Sequence, residues 1–324
     1  MSGALASATG IGLGYLADQL LGDPHRYHPV AGFGRVALAA EHRCYADTRT
    51  AGAVYTAVLV GATVGLGAGL ERLTTGRPAW RILVTAAATW AVLGGRSLRS
   101  EADLIAAQLA EHDLVAARRQ IRNLVGRDPS ALDATEIARA CVESLAENTS
   151  DAVIAPLLWG AVAGVPGLLG YRAVNTLDAM VGHRSSRYLR FGWASARLDD
   201  VANVLPARVA GALAVASAGL VDGSSGEAFR AVSRDAGRHP SPNAGVVEAA
   251  FAGGLGVRLG GVNVYAGEVE DRGTLGRGRQ VEVRDIARAA RLGRRISLLT
   301  VGLAVAVRAA LAWSTPRTGP SGRR

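Results

Sequence analysis

Long apolar segments alternate along the chain with polar stretches that are rich in arginine. Residues 51–70 contain no charged side chain, and about 20 mostly apolar residues are what an α-helix needs to cross a bilayer. Five other segments have a comparable composition, although residues 207–221 are short. The predicted spans lie near residues 1–20, 51–70, 79–95, 152–171, 207–221 and 296–313. This pattern predicts an all-α, polytopic integral membrane protein with cytoplasmic helical loops between its spans.

The segment at residues 152–171 has no charge but contains Pro156, Pro166 and several glycines. Two structures fit this composition: one kinked span, or a broken, re-entrant element whose backbone groups are covered by protein or water. If this segment and residues 207–221 both crossed fully, residues 171–206 would lie on the opposite side from the other polar motifs. We therefore predict that residues 152–171 do not cross the membrane as a straight helix.

The polar stretches also predict helices. Residues 100–125 place apolar side chains at helical spacing between charges, which indicates an amphipathic helical pair. Asp133 or Thr135 could cap a helix that runs from about residue 135 to residue 152. No segment has convincing strand alternation. We therefore expect one membrane-embedded domain (residues 1–324) with a polar C-terminal tail.

The composition supports the membrane assignment and excludes other classes. Apolar residues make up 49% of the 324 residues, charged residues make up 19%, and 41 residues are glycine. A disordered chain would be poorer in apolar residues, and two cysteines do not build a disulfide scaffold. The formal net charge is +9, without a single lysine and without a long run of like charges. We therefore expect the bilayer and an anionic small molecule as partners, and no nucleic acid.

The distribution of arginine predicts the orientation in the membrane. Cytoplasmic loops carry an excess of positive charge, and four arginines lie within residues 23–50, whereas none precedes the first apolar segment. Two further crossings would return residues 96–151, with seven arginines, to the same side. Cys44 and Cys141 lie in these segments, so we expect free thiols. This predicts a multi-pass protein of the cell membrane with its polar motifs facing the cytoplasm.

Five polar strings beside the apolar segments contain the candidate chemistry. The first, E-S-L-A-E-N-T-S-D, stacks Glu143, Glu147 and Asp151 on one helical face, where like charges repel each other. Three carboxylates at a membrane boundary need a cation, and Mg²⁺ or arginine would serve. The alternative is an ordinary solvated helix face.

The second and third strings combine acids, amides and arginine. Asn175 and Asp178 lie three residues apart, one turn after Arg172, and a helix start with a polar cap is the alternative there. The third string contains, in order, Ser195, Arg197, Asp199, Asp200 and Asn203. Its two neighbouring aspartates suit a metal ion shared with phosphate, and the alternative is a run of surface salt bridges.

The fourth string is R-H-P-S-P-N-A-G-V-V-E. Its two prolines fix a turn that exposes Ser241 and Asn243 ahead of a helix containing Glu248. The glycine-rich residues 253–261 follow, and they match neither the Rossmann nor the Walker spacing. We expect these glycines to pack against other helices in the membrane.

The fifth string covers residues 18–30, where Asp18, Asp23, His25 and His28 offer possible metal ligands. Its spacing differs from that of a zinc-binding helix. A span exit followed by a turn is the favoured interpretation.

Taken together, these strings resemble the CobD/CbiB family of cobalamin biosynthesis, the adenosylcobinamide-phosphate synthases. They occur in family order at residues 18–30, 143–156, 171–182, 191–203 and 241–261. The resemblance implies an integral membrane enzyme that joins cobyric acid to (R)-1-aminopropan-2-ol or its O-phosphate. The new bond would be an amide to the f-propionate carboxylate of the corrin, with ATP as the energy source.

That chemistry assigns expected roles. ATP would activate the carboxylate as an acyl phosphate, and Mg²⁺ and arginine would stabilise the transferred phosphoryl group. The expected metal ligands are Glu143, Glu147, Asp151, Asp199 and Asp200. The expected catalytic residues are Arg197 at the phosphate and Asp178 or Glu248 at the amine proton. Substrate or phosphate binding is expected from Asn148, Arg172, Asn175, Ser195, Asn203, Ser241 and Asn243.

Two other functional classes stay open. A polytopic corrinoid transporter would use the broken segment at residues 152–171 and the nearby acids to line a pathway. A membrane scaffold would gather the soluble enzymes of the pathway without performing chemistry. ATP binding must in any case use an arrangement other than a P-loop, because the chain has none.

Overall fold

The computed structural model describes residues 1–23, 28–126, 128–265 and 268–314, so that His25 and the tail beyond residue 314 lie outside it. The chain is 78% helical. Its helices are α1 (Gly3–Leu21), α2 (Pro29–Cys44), α3 (Arg49–Leu73), α4 (Pro78–Val92), α5 (Gly95–Ala110), α6 (Leu114–Ile121), α7 (Ala134–Thr149), α8 (Ala155–Leu177), α9 (Trp193–Ala202), α10 (Val204–Ser217), α11 (Ser225–Asp235), α12 (Ala244–Leu255) and α13 (Val283–Ser314). Strands β1 (Leu259–Tyr265) and β2 (Glu268–Leu275) form an antiparallel hairpin.

Three helical segments among the described residues are long and apolar enough to cross a membrane. These are α3, the continuous segment Ala134–Gly182, and the segment Val204–Val221, which joins α10 to a 3₁₀ turn. The segments predicted near residues 1–20, 79–95 and 296–313 form α1, α4 and the second half of α13. The fold is therefore consistent with the predicted all-α membrane protein.

The segment Ala134–Gly182 turns back on itself at Gly164. This glycine has a left-handed φ of +67° with ψ −145°, and Pro166 follows it. A Cβ on Gly167 would collide with the carbonyl oxygen of Trp159, although eight residues of continuous helix would separate the two by about 12 Å. Helix α8 is therefore a helical hairpin and not one straight helix, and the re-entrant membrane topology stays a prediction.

The second limb of the α8 hairpin packs antiparallel to α3. A Cβ on Gly67 would meet Pro166, near the tip of the hairpin. Leu59, eight residues earlier in α3, shares a core cluster with Leu177 at the opposite end of the limb. The hairpin tip therefore lies beside the C-terminal end of α3, and its open end lies beside the N-terminal half of that helix.

An ion-pair network of one carboxylate and two arginines lies at the tip of the α8 hairpin. Glu71, near the end of α3, accepts a hydrogen bond from the backbone N–H of Val165 at 3.1 Å. Arg81 of α4 lies 3.3 Å from the same carboxylate oxygen, and Arg308 of α13 lies 3.9 Å from it. The carboxylate thus satisfies an amide that the broken helix leaves open, and two guanidinium groups balance its charge.

The helices around the hairpin meet through small residues. A Cβ on Gly10 or Gly14 of α1 would collide with Thr85 or Thr89 of α4. Such close approach is typical of helices that associate in a membrane. The contacts run in parallel order, so α1 and α4 lie side by side and point in the same direction.

The predicted polar helices are present. Residues 100–125 lie in α5 and α6, and α7 begins with a capping box between Asp133 and Glu136, so that Asp133 and not Thr135 is the cap. These helices share a hydrophobic core with α10, α12 and the first part of α13. This core supports the open end of the α8 hairpin.

The β-hairpin corrects the expectation that no strand is present. Gly260 and Gly261 have φ of +76° and +84° in β1, and the register shifts between Gly260 and Val262. Glycines and a bulge hide the alternation that a strand normally displays. The expected helix packing of this glycine-rich run is correct only for Gly253 and Gly254, which face α11 from α12.

Candidate functional site

Five carboxylates from three parts of the chain gather at the open end of the α8 hairpin. Asp151 lies within electrostatic range of Glu147, Asp178 and Asp199, and Asp178 is also close to Asp200. In a continuous helix, Asp151 and Asp178 would be separated by about 40 Å. The reversal at Gly164 brings them together, and we refer to the five residues as the acid cluster.

Two π-helical turns carry the acids of the hairpin. The first turn is Ser150–Ile154, with Asp151 as its second residue, and the second is Asp178–Gly182. A π turn inserts an extra residue into a helix, and such turns are frequent at functional sites. A Cβ on Gly182 would collide with the Oδ1 atom of Asp178. The glycine therefore leaves the space in which that carboxylate lies.

Asp199 of α9 is held by two amides. Asn203 donates a hydrogen bond to its Oδ2 at 2.9 Å, and Asn175 donates to its Oδ1 at 3.4 Å. Tyr171 donates in turn to the Oδ1 of Asn203 at 2.8 Å. Burial raises the pKa of Asp199 to about 6, and the repulsion from Asp200 and Glu147 adds to this, whereas the two amides oppose it. The carboxylate is thus fixed in orientation but costly to ionise alone.

Arg172 is the cation that faces this cluster. It lies within electrostatic range of Asp151 and Asp23, and its Nη1 is 3.5 Å from the Oδ1 of Asn175. Its Nε is buried without a hydrogen-bond partner among the described atoms. A buried, unsatisfied guanidinium N–H is costly, and an anionic group in the pocket would satisfy it.

The loop before α12 packs against α9 beside the acid cluster. Asn243 donates a hydrogen bond to the backbone oxygen of Asp200 at 2.7 Å and accepts one from Arg208 at 2.6 Å. The Oγ atom of Ser241 accepts from the N–H of Ala244 at 3.2 Å and so caps α12. The side chain of Arg197 lies 3.5 Å from Asp200 and is largely exposed. The third and fourth strings therefore meet, as the prediction of a single pocket requires.

Two of the predicted site residues have partners outside the acid cluster. Glu143 accepts a hydrogen bond from the N–H of Gly260 at 2.8 Å and pairs with Arg139, which ties α7 to the β-hairpin. Ser195 is buried against Thr56 of α3, with 2.8 Å between their hydroxyls. These two contacts hold elements together, so we leave both residues out of the proposed pocket.

Glu248 lies in a separate, fully buried setting. Its carboxylate is 3.6 Å from the Nε2 of His239 and 3.9 Å from Arg272 of β2. The side chain has no exposed surface, which does not suit a residue that takes a proton from an amine substrate. Asn148 donates its amide to Ser144, one turn earlier in α7.

Sequence reasoning gave little weight to three residues that the structure places here. Asp23 follows α1 and faces Arg172, although the fifth string was interpreted as a simple turn. Tyr171 donates a hydrogen bond to Asn203, which holds Asp199, and Gly182 leaves room for the carboxylate of Asp178. No spacing rule predicts these contacts. The sequence does offer one indication: Tyr171 and Gly182 lie at the two ends of residues 171–182, the string that contains Arg172 and Asp178.

The donor set of the pocket fits Mg²⁺ bound together with phosphate. Among the described residues, no three His, Cys, Asp or Glu side chains are placed as a complete ligand set for a metal ion. Mg²⁺ commonly takes only one or two carboxylates and completes its shell with water and phosphate oxygens. The clustered acids and the unsatisfied Nε of Arg172 match these two halves of a metal–phosphate group.

The fold and the acid cluster define a class: a helical membrane protein whose α8 hairpin carries acids at its open end. A family model described as CobD/CbiB protein matches residues 11–293, and the chain belongs to this family. This membership gives the chain a role in cobalamin biosynthesis.

Curated relatives agree with this assignment. The chain is 54% identical over 298 residues to the cobalamin biosynthesis protein CobD of Mycobacterium tuberculosis strain H37Rv, which covers 92% of this chain and 95% of that protein. It is 44% identical to CobD of Geobacter metallireducens over 81% of this chain and 84% of that protein. It is 40% identical to CbiB of Salmonella arizonae over 91% and 96%. No solved structure matches the chain.

Proposed function

We propose that this protein is an amide-forming ligase that converts adenosylcobyric acid to adenosylcobinamide or its phosphate. The amine would be (R)-1-aminopropan-2-ol or its O-phosphate, and ATP would supply the energy. The observation that carries the proposal is the convergence of the acid cluster and Arg172, from separated strings, into one pocket. Family membership supplies the pathway, and the pocket supplies groups suited to phosphoryl and acyl transfer.

The reaction would proceed in two balanced steps. An oxygen of the f-propionate carboxylate attacks the γ-phosphorus of ATP, which gives an acyl phosphate and releases ADP. The amine nitrogen then attacks the acyl carbon, phosphate leaves with the electrons of the C–O bond, and one proton leaves the nitrogen. Mg²⁺, when bound, would neutralise charge on the transferred phosphoryl group.

The residues of the pocket divide these tasks. Asp199, with one other carboxylate of the acid cluster, would hold the metal ion together with phosphate oxygens, and the remaining acids would surround it. Arg172 would hold the phosphoryl oxygens from inside the pocket, and the exposed Arg197 would hold them from its mouth.

Asp178 is the best-placed acceptor for the amine proton. It belongs to the acid cluster, and Gly182 leaves its carboxylate room to lie over the second π turn. Asn175, Asn203, Ser241 and Asn243 would keep the acids and the adjoining loop in position. Asn148 would contact substrate only after releasing Ser144.

The location of the reaction follows from the same arrangement. We propose that the protein lies in the cell membrane with the open end of the α8 hairpin towards the cytoplasm. The arginine-rich segments 23–50 and 96–151 support this orientation. ATP and the corrinoid would then reach the acid cluster without crossing the bilayer.

The proposal is tested by a reaction in detergent or nanodiscs. Purified protein is mixed with adenosylcobyric acid, the amine or its phosphate, and Mg·ATP, and the corrinoid products are separated by chromatography with mass detection. The proposal requires a new amide product together with stoichiometric ADP and phosphate. Corrinoid flux into liposomes without a covalent product would favour a transporter, and neither flux nor product would favour a scaffold.

A further inference from the structure

Helix α9 presents two different faces. Ser195, Asp199 and Asn203 point into the molecule, whereas the opposite side remains apolar and exposed where α9 passes into α10. The exposed fractions are 39% for Leu198, 69% for Val201, 47% for Val204 and 64% for Leu205. We call residues 198–205 the α9–α10 elbow.

The elbow is continuous with the outer surface of the α8 hairpin. The indole N–H of Trp159 donates a hydrogen bond to the backbone oxygen of Ala202 at 3.1 Å. Trp159 and Val162 lie on the first limb, between the acid cluster and the tip, and are 37% and 59% exposed. The hairpin packs beside α3, which is long and apolar enough to cross a membrane, so the exposed side of the hairpin would face the bilayer. The elbow extends that same apolar surface.

The backbone carbonyls at the break and the side chain of Asn203 are bonded within the molecule, whereas the side chain of Asp200 is 34% exposed and pairs with the exposed Arg197. The break between α9 and α10 frees backbone carbonyls, and those of Ala202 and Val204 are bonded by Trp159 and by Arg208, the latter at 3.2 Å. The side chain of Asn203 is bonded to both Tyr171 and Asp199. Backbone groups in hydrocarbon need such internal partners, because no water is available there, whereas those of a loop in water do not.

The charged and aromatic residues of α9 lie nearer to its N-terminus. Arg49, the first residue of α3, stacks over the ring of Trp193 at 5.3 Å, so Trp193 lies level with the point where α3 enters the membrane. Tryptophan is enriched at this boundary. The side chain of Arg197 leans towards the helix N-terminus and can reach the headgroups. The exposed apolar side chains of the elbow therefore lie between two exposed arginines, Arg197 before them and Arg208 after them.

We propose that the α9–α10 elbow is inserted in the bilayer and contacts phospholipid acyl chains beside the α8 hairpin. Asp199 then lies one helix face away from lipid, and the acid cluster is set below the membrane surface. The bilayer itself holds the helix that carries Asp199 and Asp200. This inference does not depend on the proposed ligation, because it concerns only what covers the elbow.

The test measures the environment of the elbow directly. In a Cys44→Ser background, Val201→Cys and Leu205→Cys are each spin-labelled, and the protein is placed in nanodiscs. Collision rates with lipid-soluble oxygen and with a water-soluble nickel chelate are then compared. Val58→Cys on α3 is the lipid-facing control and Phe229→Cys on α11 is the control away from the elbow; both native side chains are 62% exposed.

The expected result is that both elbow labels follow Val58→Cys, with high oxygen and low nickel collision rates. Nickel collision rates equal to those of Phe229→Cys would overturn the proposal, because the elbow would then face water. Shielding from both reagents would also overturn it, because a second copy or another protein would cover the elbow. Labelling of the unmodified chain by lipids with a photoreactive group in the acyl chain gives the same distinction without any substitution.

Discussion

The two ends of the α8 hairpin treat charge in opposite ways. At the tip, one carboxylate, Glu71, is shared by Arg81 and Arg308 and by a backbone N–H. At the open end, the five carboxylates of the acid cluster repel one another around Arg172. Both ends belong to the same apolar hairpin. The difference in how their charges are paired therefore does not come from solvent exposure alone.

This contrast separates structural charge from functional charge. A carboxylate that is already matched by two guanidinium groups keeps a broken helix in place and has no free negative charge for a cation. An excess of one charge sign destabilises the folded chain and is retained where a counter-charge arrives from outside. The open end is therefore where a cation is expected, and the tip is where a cation is not expected.

The largest expected effect is on activity at the open end. Asp199→Asn keeps the size of the side chain but removes one charge from the proposed metal site. We expect the rate of amide formation to fall about 10²–10³-fold, which is the usual cost of losing one transition-state contact of this kind. The measurement is product formation at saturating Mg·ATP. Equal activity of Asp199→Asn and the unmodified protein, at equal folded amounts, would remove Asp199 from the site.

The second effect is on stability at the tip. Glu71→Gln leaves two guanidinium groups without their carboxylate, and we expect the free energy of unfolding to fall by about 1–3 kcal/mol, less than for a fully buried pair. Thermal unfolding in detergent measures this change, with activity per folded molecule unchanged. Glu227→Gln, which breaks an exposed pair with Arg230, is the matched control and should not change the midpoint. A stable Glu71→Gln protein that loses activity would contradict the division between the two ends.

The sequence predicts the tip and the open end unequally well. Proline and glycine at residues 152–171 indicate a break, and arginine distribution indicates the side. The partners of Glu71 come from helices far apart in the chain, so no local pattern reveals them. The same holds for Glu143, whose position on one face with Glu147 and Asp151 predicts a shared metal site. Glu143 instead accepts a hydrogen bond from the β-hairpin. The sequence does not predict this hairpin, because its strands lack the usual alternation of apolar and polar residues.

The third effect tests how the second π turn holds its acid. Gly182→Ala places a methyl group where the carboxylate of Asp178 lies, and the flexible carboxylate can move aside at little cost in stability. We expect about a tenfold loss of kcat with little change in thermal midpoint, because small displacements at a reacting centre are costly. Gly61→Ala in α3, where the added methyl group meets open space, is the control. Equal activity of the two variants would mean that Asp178 need not occupy this position.

The smallest effect is a shift of the acid limb of the pH profile. The pKa of Asp199 is raised to about 6 in the folded protein, so folding is favoured by its protonated form, and stability declines as the pH rises from about 4 to 6. Binding of Mg²⁺ requires the ionised form, so kcat/KM should rise with pH through this same range. Asn203→Ala removes an N–H that stabilises the ion, and we expect the acid limb to move up by roughly half to one pH unit. Tyr171→Phe leaves that N–H in place and should keep the limb where it is. If both variants shift it equally, packing around Asn203 and not its hydrogen bond to Asp199 sets the ionisation.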